Sequence, residues 1–138
     1  MYLLDTNVVS ELRHKNAAPQ VLDWVRTINP QAMYISSITL YEIELGIRRV
    51  ERRDQFQGTM LRNWLNNNVR AAFADRILPL DASAAIRAAT WSVPDPKPER
   101  DCFIAATAFT HGFSVVTRNT KDFLNMEVTV LDPWSYNA

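Results

Sequence analysis

Short apolar runs alternate with amphipathic helical stripes along this chain, and that alternation restricts the fold more than any other feature. Tyr2–Leu4, Met33–Ser36, Ile77–Leu80, Phe113–Thr117 and Val128–Leu131 read as strands. Between the first two, Val21, Leu22, Val25 and Ile28 recur at helical spacing behind Pro19, a residue suited to a first helical turn. From Thr39, the residues Leu40, Ile43, Ile47 and Val50 form one apolar stripe. A further helix is expected from about Gln55 to Ala74, with Phe56, Met60, Leu61, Trp64, Leu65 and Phe73 apolar and the triplet Asn66, Asn67, Asn68 weakening or breaking it. Ala82–Trp91 reads as helix, the proline-rich Val93–Pro98 as loop, Glu99–Thr110 as a helix stopped by Gly112, and Lys121–Asn125 as a short helical turn. Strands alternating with helices imply right-handed crossovers, hence an α/β fold: a parallel sheet of about five strands with helices on both faces. At 138 residues, 47% of them apolar, the chain suits a single domain spanning residues 1–138 that can bury a real core.

In such a sheet, ligands bind beyond the carboxyl ends of the strands, so acids just after strands come first as candidates. Asp5 ends the first strand, and Glu42 falls in the first turn of the helix after the second. Asp101 opens the helix before the fourth strand, and Asp122 follows that strand in "VTRNTKDF". Each acid alone has a plainer role. Asp5 suits the cap of a following helix, Thr39 and Glu42 have capping-box spacing, Asp101 is favoured by a helix dipole, and Asp122 suits the start of a short turn. Four at one rim are harder to explain that way, because close carboxylates raise one another's pKa unless a cation lies among them. Hard carboxylate oxygens suit Mg²⁺ or Mn²⁺. Zinc is disfavoured: His14 and His111 lack the spacing of a tetrahedral site, and Cys102, the only cysteine, suits a packed helix.

Other chemistries are excluded or weakened by the same inspection. Three glycines build no phosphate loop, and no histidine accompanies a serine or Cys102 in a nucleophilic motif. A haloacid-dehalogenase-like phosphatase also begins with an aspartate after its first strand, but needs a second two residues on, where this chain has Asn7. Lys plus Arg equals Asp plus Glu at 15 each, so any polyanion must be held by local patches. Arg118 and Lys121 flank the fourth acid and suit a phosphate group. Arg48, Arg49, Arg52 and Arg53 form a basic run that Glu51 and Asp54 interrupt, as in a solvated helix face. No run reaches the length of a membrane span, and "MYLLDTN" lacks the features of a signal peptide; with no disulfide partner for Cys102, a cytoplasmic location without membrane contact is expected.

The segments "LLDTNVVSEL", "SSITLYEIELGI", "DCFIAATA" and "VVTRNTKDF" resemble, in order and spacing, the four signature segments of PIN-domain ribonucleases. They most resemble the VapC and FitB type of toxin in bacterial type II toxin–antitoxin pairs. The resemblance implies a PIN-like fold and a Mg²⁺- or Mn²⁺-dependent endoribonuclease whose metal-binding acids are Asp5, Glu42, Asp101 and Asp122, with Asp5 and Asp101 nearest the ion. Thr6, Asn7, Thr117 and Asn119 would be polar neighbours. Relatives carry the fourth acid at the position of Asn119 or of Asp122, and here only Asp122 is charged. It also implies products with a 5′-phosphate and a 3′-hydroxyl, a transfer-RNA target, a homodimer, and a cognate antitoxin whose complex with the toxin binds operator DNA. A PIN-fold binding module without catalysis is the other reading of the same segments.

Overall fold

A computed structural model describes residues 1–138. Its five parallel strands are β1 Tyr2–Leu4, β2 Met33–Ser36, β3 Ile77–Leu78, β4 Ser114–Val116 and β5 Val130–Leu131, ordered β3-β2-β1-β4-β5. The helices are α1 Thr6–Arg13, α2 Pro19–Thr27, α3 Ser37–Glu51, α4 Gln55–Trp64, α5 Arg70–Ala72, α6 Ala82–Trp91 and α7 Glu99–His111. The chain runs outward from β1 through β2 to β3, then returns across to β4 on the other side of β1. That reversal opens a crevice at the carboxyl ends of β1 and β4.

Period-two alternation distributes the sheet between two cores. Leu3, Tyr34, Leu78, Val115 and Val130 face α6 and α7, meeting Ala88, Trp91, Ile104, Ala105 and Ala108. Leu4, Ile35, Ile77, Val116 and Leu131 face the opposite layer, where Val8, Trp24, Ile43 and Leu65 from α1, α2, α3 and the segment after α4 cover them. Both faces are therefore buried, which is why the strands read as apolar runs rather than half-polar alternations. No helix is long and apolar enough to cross a membrane.

Three strands are shorter than their apolar runs. β3 stops at Leu78 because Pro79 has no N–H to continue the ladder. β4 gives up Phe113, whose N–H closes the end of α7 on the Ala108 carbonyl behind left-handed Gly112 (φ 71°), and Thr117, which turns into the crevice. β5 starts at Val130 because the Val128 N–H is drawn to the Met126 carbonyl in the preceding turn. The short helical turn expected at Lys121–Asn125 lies at Thr120–Phe123, beginning one residue before and ending two earlier.

Two helical expectations are corrected. The start of α3 is capped by Ser36, whose hydroxyl accepts from the Thr39 N–H at 3.2 Å, so the helix begins at Ser37 with no intervening loop. Thr39 is thus already inside the helix and Glu42 lies in its second turn; the Thr39–Glu42 capping box does not form. The asparagine triplet interrupts the α pattern without ending the long helix. Leu65–Val69 is a π-helical turn joining α4 to α5, with Leu65 and Val69 buried. Leu61, Leu65, Val69 and Phe73 recur every four residues, a spacing that drifts around a 3.6-residue helix, and the wider i→i+5 turn absorbs the drift.

Candidate active site

Asp5 sits where β1 becomes α1, and its two carboxylate oxygens have separate tasks. Oδ1 accepts from the Thr6 N–H at 2.8 Å, capping α1. Oδ2 accepts from the Thr117 hydroxyl at 2.8 Å and from Asn7 Nδ2 at 3.4 Å, across the β1–β4 crevice. One carboxylate thus both caps α1 and bridges the crevice to Thr117. Thr117 Oγ1 in turn accepts from Asn7 Nδ2 and the Asn119 N–H, each at 3.1 Å, and Asn7 Oδ1 accepts from the Arg118 N–H at 3.2 Å. This web fixes Asp5, which is 6% exposed, against the loop after β4.

Glu42 reaches the same crevice from α3. Its Oε1 accepts from the Thr6 hydroxyl at 2.6 Å, and that hydroxyl lies 3.1 Å from the hydroxyl of Thr39. Its Oε2 is 3.4 Å from Arg100 Nη1. Asp101, half-buried in the first turn of α7, has its carboxyl pushed up to about 6, first by burial and then by the negative charges of Asp5, Asp122 and Glu42, with Arg100 opposing. Asp5 is also raised, by burial first and by Glu42 and Asp122 last, against hydrogen bonds from Thr117 and Thr6. All four sequence-selected acids thus share one electrostatic field, with Asp122 on the exposed rim. Glu42 and Asp101 line an open depression of about 450 Å³ with Pro98, Glu99 and Arg100.

No three of the chain's acidic, histidine or cysteine side chains close tightly enough around one point to encircle an ion directly. The donor set nevertheless fits a hard divalent cation that keeps part of its water. Carboxylate, hydroxyl and amide oxygens surround the crevice, and two carboxylates are held above their usual range, first by burial and then by neighbouring negative charge, which a cation among them would offset. His14 ends α1, and His111 Nδ1 contacts the Thr107 carbonyl at 2.9 Å at the far end of α7; neither joins the acids.

A family model described as PIN domain matches residues 2–128. The chain belongs to the PIN-domain family. This PIN domain is 34% identical to VapC ribonuclease Y4jK of Sinorhizobium fredii over 142 residues, covering 97% of the chain and 98% of the relative. It is 33% identical to toxin FitB of Neisseria gonorrhoeae over 139 residues, covering 97% and 99%. Among solved structures it superposes on FitAcB from Neisseria gonorrhoeae with a TM-score of 0.88 at 32% identity, covering 98% of this chain and 99% of that one. It superposes on FitAB bound to an IR36 DNA fragment with a TM-score of 0.87 at 31% identity, covering 100% and 99%. The haloacid-dehalogenase alternative falls with this assignment, and the parallel α/β architecture agrees with the PIN fold.

The remaining sequence candidates divide by position. Arg118 is exposed beside the web, its guanidinium 5.1 Å from the centre of the Trp134 ring, and Lys121 is exposed one residue from Asp122. Arg48, Arg49, Arg52 and Arg53 are not brought to the PIN-domain crevice. Arg48 and Arg49 lie in the last turn of α3 and Arg52 and Arg53 just beyond it, Arg52 about 15 Å along the helix direction from Glu42 at 1.5 Å per residue, and Arg48 pairs with Glu44 at 2.7 Å. Sequence reasoning missed Thr39, Tyr41, Arg100 and Trp134. Arg100 had one signal, its place directly before Asp101 in "RDCFIAATA".

Proposed function

We propose that this PIN domain is a divalent-metal-dependent endoribonuclease, the toxin of a type II toxin–antitoxin pair. The observation that carries the reading is the gathering of Asp5, Glu42, Asp101 and Asp122, from four separated segments, into one field at the sheet's switch point. Asp5 and Asp101 would hold Mg²⁺ or Mn²⁺ most directly, with Glu42 and Asp122 supporting them. The bound ion supplies charge neutralisation at the phosphodiester and acidifies water at neutral pH. The chain's own residues do the rest. Thr117 and the Thr6 N–H hold the Asp5 carboxylate in one orientation, and the Thr6 hydroxyl holds Glu42. Asn7 and Asn119 brace Thr117 so that its proton points at Asp5. Arg118 and Lys121 stand where they can meet RNA phosphate. Water attacks phosphorus, the bond to the 3′-oxygen breaks, and the products carry a 5′-phosphate and a 3′-hydroxyl. A transfer RNA is the substrate class this reading favours.

Control by an antitoxin has structural support of its own. A groove of about 240 Å³ between α1, α3 and α4 runs from Thr6 and Glu42 to Leu61 and Trp64, which suits an amphipathic partner segment ending near the acids. An arginine from that segment could pair with the acids in place of the ion. The relatives solved as FitAB with DNA motivate the further expectation that the toxin–antitoxin complex binds operator DNA.

The experiment is RNA cleavage by the purified chain with EDTA, then with Mg²⁺ or Mn²⁺ restored. Cleavage should stop and return, and Asp5→Asn or Asp101→Asn should abolish it with the fold intact. Full activity in chelator would refute the metal-dependent reading.

A further inference from the structure

Two arginines flank the acidic crevice, and each lies on an aromatic ring. On the β4 side Arg118 rests on Trp134; on the β2 side Arg100 is 5.7 Å from the ring centre of Tyr41, the residue before Glu42. Arg100 is poorly accounted for as a structural ion pair. Arg62 shows what such a pair looks like in this molecule: it binds Glu44 and Glu51 through four hydrogen bonds of 2.8–3.2 Å, fastening α3 to α4. Arg100 makes a single 3.4 Å contact to Glu42 Oε2 and leaves 49% of its side chain exposed. It lines the open depression that also holds Glu42 and Asp101. Tyr41 is 55% exposed and belongs to neither core.

A half-exposed pair with one contact is held weakly and exchanges readily. A phosphate offers the guanidinium fork two parallel acceptors where Glu42 gives one. An exposed aromatic face beside such an arginine suits an unpaired base attached to that phosphate.

We propose that Arg100 and Tyr41 form an RNA subsite beside the acids. Arg100 leaves Glu42 to hold a backbone phosphate adjoining the scissile one, and Tyr41 stacks the base of that nucleotide. The subsite selects unpaired RNA, because a base inside a duplex has no free face for Tyr41. This inference rests on the ribonuclease reading above.

Binding can be read apart from cleavage in an Asp5→Asn parent, by fluorescence anisotropy with a fluorescein-labelled single-stranded RNA dodecamer. Adding Arg100→Ala should weaken binding about 10-fold. It should also reduce the salt slope of log K by about 0.7, the value for one single-strand phosphate contact. Arg100→Lys should recover the slope. Adding Tyr41→Ala should weaken binding about 5- to 100-fold with the slope unchanged, and Tyr41→Phe should restore it. The same dodecamer as a duplex should be insensitive to Tyr41→Ala. The proposal is overturned if both alanine variants bind like the parent, or if their losses come with a lower Tm and the conservative variants rescue nothing. It is overturned equally if they keep RNA binding but stop co-purifying with an antitoxin expressed from the same operon, which would make this a protein-docking surface. Failure of the ribonuclease reading is separate: there the unsubstituted chain cleaves no RNA with Mg²⁺ or Mn²⁺. A chain that cleaves while Arg100→Ala and Tyr41→Ala bind normally loses only the subsite.

Discussion

The carboxyl of Asp101 rises to about 6 from an ordinary 3.8 because burial and three neighbouring acids disfavour its charge. The folded chain therefore binds that proton more tightly than the unfolded chain does. Its contribution to stability is complete below about pH 4 and is lost as pH climbs through about 6. Glu44 and Glu51 act oppositely: hydrogen bonds from Arg62 lower both, so their contribution is lost as pH falls. The clean readout is thus a difference. In EDTA, the Tm of Asp101→Asn relative to the parent should climb in the variant's favour between about pH 4 and about pH 7, and a flat difference would refute the shared field. Glu42 offers a second separation. With Ser36 as the true cap, Ser36→Ala should cost about 1–2 kcal/mol in thermal melts. Glu42→Gln should leave Tm nearly unchanged while lowering RNA cleavage about 10- to 100-fold. Equal melting losses in the two variants would return Glu42 to a capping role.

At the scale of elements, α3 and α4 are tied closely enough for the sign of a glycine substitution to depend on position. A Cβ at Gly58 would lie 2.5 Å from Glu51 Cγ and 3.0 Å from its Cα, so α4 would have to move from α3 and strain the Arg62 bridge. At Gly46, in the interior of α3, an added Cβ meets nothing within 4 Å. Gly46→Ala should therefore stabilise by about 0.5–1 kcal/mol, the usual helical gain. Gly58→Ala should lose about 1–3 kcal/mol despite the same propensity gain. Paired thermal melts check this, and a stabilised Gly58→Ala would show the close approach to be slack. The helices themselves were readable from their stripes of apolar residues, whereas the Gly58–Glu51 approach was not, because it depends on how two helices cross.

At the scale of the molecule, the long apolar helix resolves into two parts. Leu65 enters the core and Trp64 packs against it, while Phe56 and Met60, one turn apart on α4, stay 77% and 54% exposed. That remaining patch is the expected homodimer surface. Light scattering at micromolar concentration should give a dimer that Phe56→Asp converts to monomer; a monomeric parent would refute it. The toxin assignment has its own test. Co-expression with the adjacent small gene should suppress toxicity and RNA cleavage, and purified proteins that fail to associate would sink it while leaving the nuclease reading intact.

Local patterns were enough to read where the five strands and most helices lie, the parallel α/β class and which four acids the fold draws together. An apolar run that ends in Asp5, or a stripe from Leu40 to Val50, is a property of neighbours along the chain. Strand order, the Ser36 cap and the π turn needed the folded molecule. So did the division of Asp5 between α1 and Thr117, and the meeting of Arg100 with Tyr41 and Glu42. The physical reason is sequence separation: Asp5 and Thr117 are 112 positions apart, and only the crossover that seats β4 beside β1 brings that hydroxyl within 2.8 Å of that carboxylate.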